Sequence, residues 1–370
     1  MWVLIFVGLM AGGIAGFIYL ISRFYQIGWV QHISNGKKWV RISISTLILL
    51  TIIAVLWFTM GSMNAIICVL HLVVFWLLCD LIFWGIKKRR KKAFKHYYAG
   101  VCALAFTIVY LSVGFVLANH VWRTGYTVTT EKEVGTLRIV HIADSHIGTT
   151  FDGVGFAEYV AKMQEENPDI VVITGDYVDD DTSKQDMIDA CKALGTLQTT
   201  YGVYYVFGNH DRGYYSAEYR GYNGEDLVNE LEKNGVIVLE DEAVLLDQRF
   251  YIIGREDRSE EEMGRGRASA AELIQDLDLD KYMIVLDHQP GEYKELAAAG
   301  ADLVLSGHTH GGQLFPVNYV GEWTGVNAKT YGLEHRDKTD FIVTSGISDW
   351  ALLFKTGCKS EYVVIDIIGK

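Results

Sequence analysis

Between Met1 and Ala118 the chain has a single acidic residue, Asp80, against eleven Lys and Arg. So little acid within long apolar runs excludes an ordinary soluble domain for this part of the chain. The remainder reverses the balance, with 22 Lys and Arg against 44 Asp and Glu. An acidic domain argues against a nucleic-acid partner, because phosphate backbones need a basic footprint. It is compatible with attracting divalent cations. Cysteine is scarce as well: there are five, and Cys68, Cys79 and Cys102 lie in apolar runs. Cys191 and Cys358 are too few for a disulfide framework, and the lack of any C-x-x-C argues against a structural zinc knuckle. No Lys or Arg precedes the first apolar segment, so it reads as an uncleaved anchor rather than a signal peptide.

What the sequence does have falls into two parts, consistent with about two domains in 370 residues. Four segments are long and apolar enough to span a bilayer, which takes about 20 residues. They are Trp2–Ile21, Ile42–Met60, Met63–Trp84 and Tyr98–Ala118. The connections carry charge unevenly: Arg23, Lys37, Lys38 and Arg41 lie in one, none in Gly61–Ser62, and seven basic residues in IKKRRKKAFKHY. Basic loops stay on the cytoplasmic side, which places everything after Ala118 outside. His71 and Asp80, both within the third segment, fall on opposite helix faces, and Asp80 is near enough to the basic end to reach towards Lys87. Trp122 and Tyr126 read as interfacial anchors.

From Thr136 onward, apolar β-rich runs alternate with helical patterns, the signature of α/β architecture. Five of these runs end in groups that bind metals. TLRIVHIAD leads to Asp144 and His146; IVVITGD ends on Asp176, with Asp179 three residues on. VYYVFGNHD ends on Asn209, His210 and Asp211; MIVLDHQP ends on His288; LVLSGHTH ends on His308 and His310. Functional groups in α/β sheets gather beyond the carboxyl ends of strands. Each motif alone could be a turn, since Asn and Asp favour turns; five together on successive strand ends point to one metal centre. His141, inside the first run, reads as a core or supporting histidine, and His335 as a surface or substrate-loop residue.

The order DSH, GDYVD, GNHD, a lone His288 and GHTH resembles the calcineurin-like metallophosphoesterases, over roughly Leu137 to the C-terminus. GHTHGGQ followed by Phe315-Pro316 further resembles the membrane-associated bacterial branch. The resemblance implies a two-sheet α/β sandwich with a dinuclear metal site. Asp144, His146 and His310 would bind one divalent ion, Asn209, His288 and His308 the second, and Asp176 would bridge them. The expected organisation is an N-terminal four-helix transmembrane region (1–120), a linker (121–135) and a metallophosphoesterase domain (136–370).

Mixed carboxylate, imidazole and amide ligands suit Mn, Fe or Zn better than Ca or Mg. Two such ions lower the pKa of a water and stabilise in-line displacement at phosphorus. His210, not needed as a ligand, would protonate the leaving oxygen or stabilise phosphoryl charge. Asp179 would orient His210, while Asp211 is the weaker candidate for that task and would hold the turn. The tyrosines of YYSAEYRGYNG, with Arg220, are candidates for a substrate pocket, and GREDRSEEEMGRGRAS for a mobile cap. The partners expected are a phosphoester, with lipid-linked or cell-envelope compounds as candidates, and the lipid bilayer. Two other readings stay open. A zinc amidohydrolase also uses H-x-H, but on its first strand and without G-N-H-D. A metal-stabilised extracytoplasmic sensor coupled to the helices is opposed by the full set of ligands.

Overall fold

A computed structural model describes residues 2–92 and 94–370, with side chains from residue 11 onward. The first nine side chains of the expected span Trp2–Ile21 lie outside the described residues. The chain forms two compact units, one comprising residues up to Gly114 with Ala351–Leu353, the other Phe115–Trp350 with Phe354–Lys370.

The first unit is helical: α1 (Trp2–Phe24), α2 (Gly28–Ile33), α3 (Lys38–Arg90) and α4 (Tyr98–Asn119, whose last turn belongs to the second unit). Among the described residues, two of these helices, α3 and α4, are long and apolar enough to cross a membrane; the part of α1 whose side chains are described, Ala11–Phe24, is a shorter apolar helix. The 53 residues of α3 contain both expected central spans, separated by Gly61 at φ 80°, ψ 167°. That backbone conformation lies outside the helical region and is open to glycine. Leu20, Phe24, Leu49, Leu72, Trp76 and Ala103 form the apolar core of the unit. Asp80 pairs with Arg23 at 3.0 Å, rather than reaching towards Lys87, and accepts from the Tyr19 and Tyr97 hydroxyls at 2.7 and 3.0 Å. His71 places Nδ1 2.8 Å from the Ile67 carbonyl one turn earlier. Both ionisable groups are satisfied locally.

The second unit holds twelve strands. In chain order they are β1 (Trp122–Thr129), β2 (Thr136–Ile142), β3 (Ile170–Thr174), β4 (Val203–Val206), β5 (Val236–Val238), β6 (Glu242–Leu246), β7 (Phe250–Gly254), β8 (Tyr282–Leu286), β9 (Leu303–Ser306), β10 (Gly332–Arg336), β11 (Thr339–Val343) and β12 (Glu361–Ile368). They make two six-stranded sheets, ordered β1-β12-β2-β3-β4-β5 and β10-β11-β9-β8-β7-β6. Neighbours from β2 to β5 are parallel, as are β7-β8-β9-β11. Strands buried on both faces should read as continuous runs of Val, Ile and aromatics, and IVVIT, YMIVL and LVLS do so. Alternation assigns the faces. In β2, Leu137 and Ile139 enter the core between the sheets with Val172, Ile284 and Leu305. Val140 and Ile142 turn the other way, onto Phe156 and Val160 of α5 (Gly153–Glu165) and Met187 of α6 (Lys184–Leu194). A third cluster, with Leu296 and Phe341, covers the outer face of the second sheet.

Residues 121–135, expected as a linker, are largely structured. Trp122–Thr129 is the edge strand β1, in parallel register with Glu361–Ile368, and Tyr126 packs on the inter-sheet core rather than standing free. Its β-branched TVTT stretch favours a strand, and a partner more than 200 residues away in sequence supplies the pairing. The C-terminal strand is thus central to the first sheet. Ile365→Ala, at a fully buried position, should cost about 2–5 kcal/mol and lower the thermal midpoint of the domain. Ile368→Ala, half exposed at the strand end, should stay within about 0.5 kcal/mol. Equal midpoints for the two variants would contradict this placement.

Candidate metal centre

Each expected ligand follows a parallel strand by two to four residues: Asp144 and His146 after β2, Asp176 after β3, Asn209 after β4, His288 after β8, and His308 and His310 after β9. The close convergence of these turns requires glycine. A Cβ on Gly208 would lie 2.3 Å from Asp176 Oδ1, and one on Gly307 2.4 Å from the Cβ of Ala143. Five of the ligands, Asp144, His146, Asp176, His308 and His310, have positive φ between 36° and 69°. Non-glycine residues rarely occupy that region, and such strain concentrates at functional sites.

The structure brings Asp144, His146 and His310 together as one group and Asp176, His288 and His308 as another. In each group the candidate ligand atoms lie within 4.8 Å of one another. Asp176 Oδ2 joins the groups, 3.8 Å from His146 Nε2 and 3.2 Å from His288 Nε2.

The outward atom of most ligands is tied down. His146 Nδ1 is 3.0 Å from Asp179 Oδ2, and His288 Nδ1 is 2.7 Å from the Thr174 carbonyl. Neither acceptor can donate, so each imidazole carries a proton on Nδ1 and leaves Nε2 facing inward as the atom available to a metal. Asp144 Oδ1 accepts from the His308 backbone N–H, and Asp176 Oδ1 from that of His210. The Asn209 amide donates to the Tyr214 hydroxyl at 2.7 Å. Asp144 Oδ2, His146 Nε2, Asn209 Oδ1, His288 Nε2, His308 Nδ1 and His310 Nδ1 are then buried without a hydrogen-bond partner. Buried polar atoms are normally paired. Divalent cations fit this donor set, since the unpaired atoms are all acceptors of the type that ligates a metal.

Burial, opposed by His288 and reinforced by Asp176, pushes the Asp144 carboxyl up to about 6. Burial and the neighbouring His288 push His308 down to about 4. Burial would also raise Asp176, but the imidazoles of His288, His146 and His210 hold it well below the usual carboxylate range.

His210 stands beside the ligands, its ring 5.1 Å from those of His146 and Tyr214 and 5.4 Å from Trp350. Burial, opposed by the Asp176 charge and reinforced by His146, lowers its pKa. The carboxylate expected to orient it, Asp179, is instead bonded to His146, because the Asp179 loop is closed by Thr182, whose N–H and hydroxyl both contact Asp179 Oδ1. Asp211 is fully buried and accepts four backbone N–H groups, from Asp176, Tyr177, Val178 and Gly208, at 2.7–3.1 Å. It clamps the GDYV turn to the GNHD turn.

Two other expectations are redrawn, while His141 and His335 lie where the sequence placed them. Arg220 is turned inward rather than towards a substrate: it is buried, donating to the carbonyls of Asp211 and Tyr222. The Arg255–Arg267 stretch is no free cap, since both guanidiniums pair with buried Asp287, next to ligand His288. His141 bonds Thr174 Oγ1 from the core, and His335 is exposed beside Asp340. Sequence reasoning missed Lys355, fully buried, whose ammonium donates to the carbonyls of Ser345 and Ser348 and pairs with Asp349 at 3.3 Å. It braces the loop whose Ser348 N–H bonds the Asp144 carbonyl. A lone lysine in an unmarked stretch offers no pattern to find it by.

Residues 137–312 match the model of the calcineurin-like phosphoesterase family. An uncharacterized metallophosphoesterase of Aquifex aeolicus is 37% identical over 53% of this chain and 72% of its own. One of Campylobacter jejuni is 29% identical over 82% of this chain and 79% of its own. A Danio rerio "transmembrane protein with metallophosphoesterase domain" is 30% identical over 61% of this chain and 52% of its own. With its ligand motifs on the ends of five strands in two facing sheets, the chain belongs to the calcineurin-like metallophosphoesterase family.

Proposed function

We propose that the protein is a membrane-anchored phosphoester hydrolase that works through two divalent ions, its catalytic domain outside the cytoplasm. The observation that supports this best is the joining of two buried ligand groups by one carboxylate, Asp176, between His146 and His288. Asp144, His146 and His310 would hold one ion, Asn209, His288 and His308 the other, with Asp176 shared. Mn, Fe or Zn suits these donors. When bound, the ions supply positive charge for the phosphoryl oxygens and lower the pKa of an attacking water.

The residues of the chain divide the remaining tasks. Asp179 keeps the proton of His146 on Nδ1, and the Thr174 carbonyl does the same for His288. His210, tied through its backbone N–H to Asp176 but with its ring beside the ligands, would protonate the leaving oxygen or stabilise charge on the phosphoryl group. Four spans would anchor the domain: α1, the two arms of α3 on either side of Gly61, and α4. The basic loops at 23–41 and 87–95 would lie in the cytoplasm, leaving lipid-linked or cell-envelope phosphoesters as the accessible substrates.

Three experiments test this reading. Elemental analysis should find about two divalent ions per chain, the stoichiometry of a paired site. Asp176→Asn should weaken both sites and His310→Ala mainly one. Asp179→Asn should lower metal affinity about 10–100-fold, the scale of a group orienting a ligand histidine. Full activity after exhaustive chelation would exclude the mechanism.

His210→Ala should keep its metals while turnover falls about 10²–10⁴-fold. A smaller loss with nitrophenolate leaving groups would identify His210 as the acid; a constant loss would make it a stabiliser of phosphoryl charge. Near-normal turnover with every leaving group would remove it from the mechanism.

Topology is read by cysteine labelling on intact cells, where residues after Ala118 should react from outside. Reaction of the Lys87–Lys95 loop instead would invert the orientation.

A further inference from the structure

Directly after the metal-ligand turn the chain makes an apolar excursion, LFPVNYVGEWTGV, whose side chains face outward. Phe315, Tyr319 and Trp323 follow at intervals of four, with ring centroids 6.3 and 5.8 Å apart. They form a ladder on a 3₁₀ turn (Val317–Tyr319) and a short helix (Val320–Thr324). Their exposures are 54%, 43% and 75%, and Val317, Val320 and Val326 beside them are exposed as well. Contiguous exposed apolar surface of this kind marks a site of interaction.

The ladder is held firmly. Phe315 N–H donates to Thr356 Oγ1, and Asn318 N–H to the Leu314 carbonyl. Gly312, three residues before Phe315, approaches Asn318 so closely that a Cβ would lie 2.3 Å from its Cα. The far end returns to the ligand turn, where Thr309, between His308 and His310, donates to the Thr330 carbonyl at 2.6 Å. Glu322, the one acid of the excursion, accepts from the Thr330 N–H at 2.7 Å. An apolar surface is thereby fixed beside the candidate metal ligands.

We propose that this ladder docks on the lipid bilayer surface, so that the metal centre works at the membrane–water boundary. The proposal rests on the membrane-anchored hydrolase reading above and names the surface on which that site acts. Three observations favour lipid. Trp and Tyr, with their amphipathic rings, are the residues enriched at membrane interfaces. The tether is short: only His120 and Val121 separate α4 from β1, so the bilayer is always within reach of the domain. The domain is strongly acidic, which disfavours anionic surfaces and leaves apolar contact with zwitterionic lipid as the complementary partner.

The full-length chain in phosphatidylcholine nanodiscs tests this. An environment-sensitive fluorophore is attached at Trp323→Cys and, in a second preparation, at Val154→Cys, exposed on α5. Both positions tolerate labelling because both side chains are mostly exposed. Docking to a depth of ~5–10 Å should make quenching by lipid-borne spin labels at least about twice as strong at Trp323 as at Val154. It should persist at high salt, because apolar contact is not screened. No quenching at Trp323, or equal quenching at both positions, overturns the proposal. A blue shift at Trp323 that grows with the number of chains per disc and resists lipid quenching overturns it too, assigning the ladder to a second copy. Turnover of a soluble nitrophenyl phosphoester by the same preparations judges the hydrolase reading separately.

Discussion

Six candidate ligand atoms buried without a hydrogen-bond partner are the constraint around which the metallophosphoesterase domain is built. Leaving one buried polar group unsatisfied costs about 1–3 kcal/mol. Six together approach the whole stability of an ordinary domain, about 5–15 kcal/mol. At Asp144 burial shows as a carboxyl pushed up to about 6. Two cations, one in each ligand group, would offset all six, which would tie occupancy of the centre to the stability of the domain itself.

The surroundings can then be understood as the means of keeping those atoms free to bind. Every tether lies on the far side of a ligand: Asp179 and the Thr174 carbonyl on imidazole Nδ1, and backbone N–H groups on one oxygen of each aspartate. The backbone bears the cost, with five ligands in left-handed conformations. Strain of that order, about 1–3 kcal/mol per residue, persists only where the surroundings over-determine it. Asp211 supplies much of that determination by gathering four N–H groups from two turns. From the opposite sheet, the pairing of Arg255 and Arg267 with Asp287 stiffens the approach to His288.

How much of this could be read in advance depends on the range of the interaction concerned. The strands and their terminal residues were legible because burial on both faces forces continuous apolar runs and ligands must follow them. Strand β1 was not, since its polar-looking TEKEV neighbourhood suggests a linker and its partner β12 lies at the far end of the chain. Asp179 was visible as a functional carboxylate but its partner was not. Three residues past Asp176, it could turn to either histidine, and the Thr182 contacts settle the direction. Arg220 misled for a related reason: sequence shows a cation near a site but not whether its guanidinium is already spent on carbonyls.

That commitment of arginine bears on recognition. Arg220, Arg255 and Arg267 are all buried in structural contacts, so none is free to grip phosphate bidentately, the usual role of such residues. On the proposed reading, positive charge for a phosphoryl group would come mainly from ions held by the seven candidate ligands. What faces outward around His210 is aromatic instead, Tyr214 and Trp350, both about half exposed. Aromatic faces discriminate by shape and apolar contact rather than by charge. The ions would then bind the phosphoryl group, and the exposed rings around His210 would discriminate among what is attached to it.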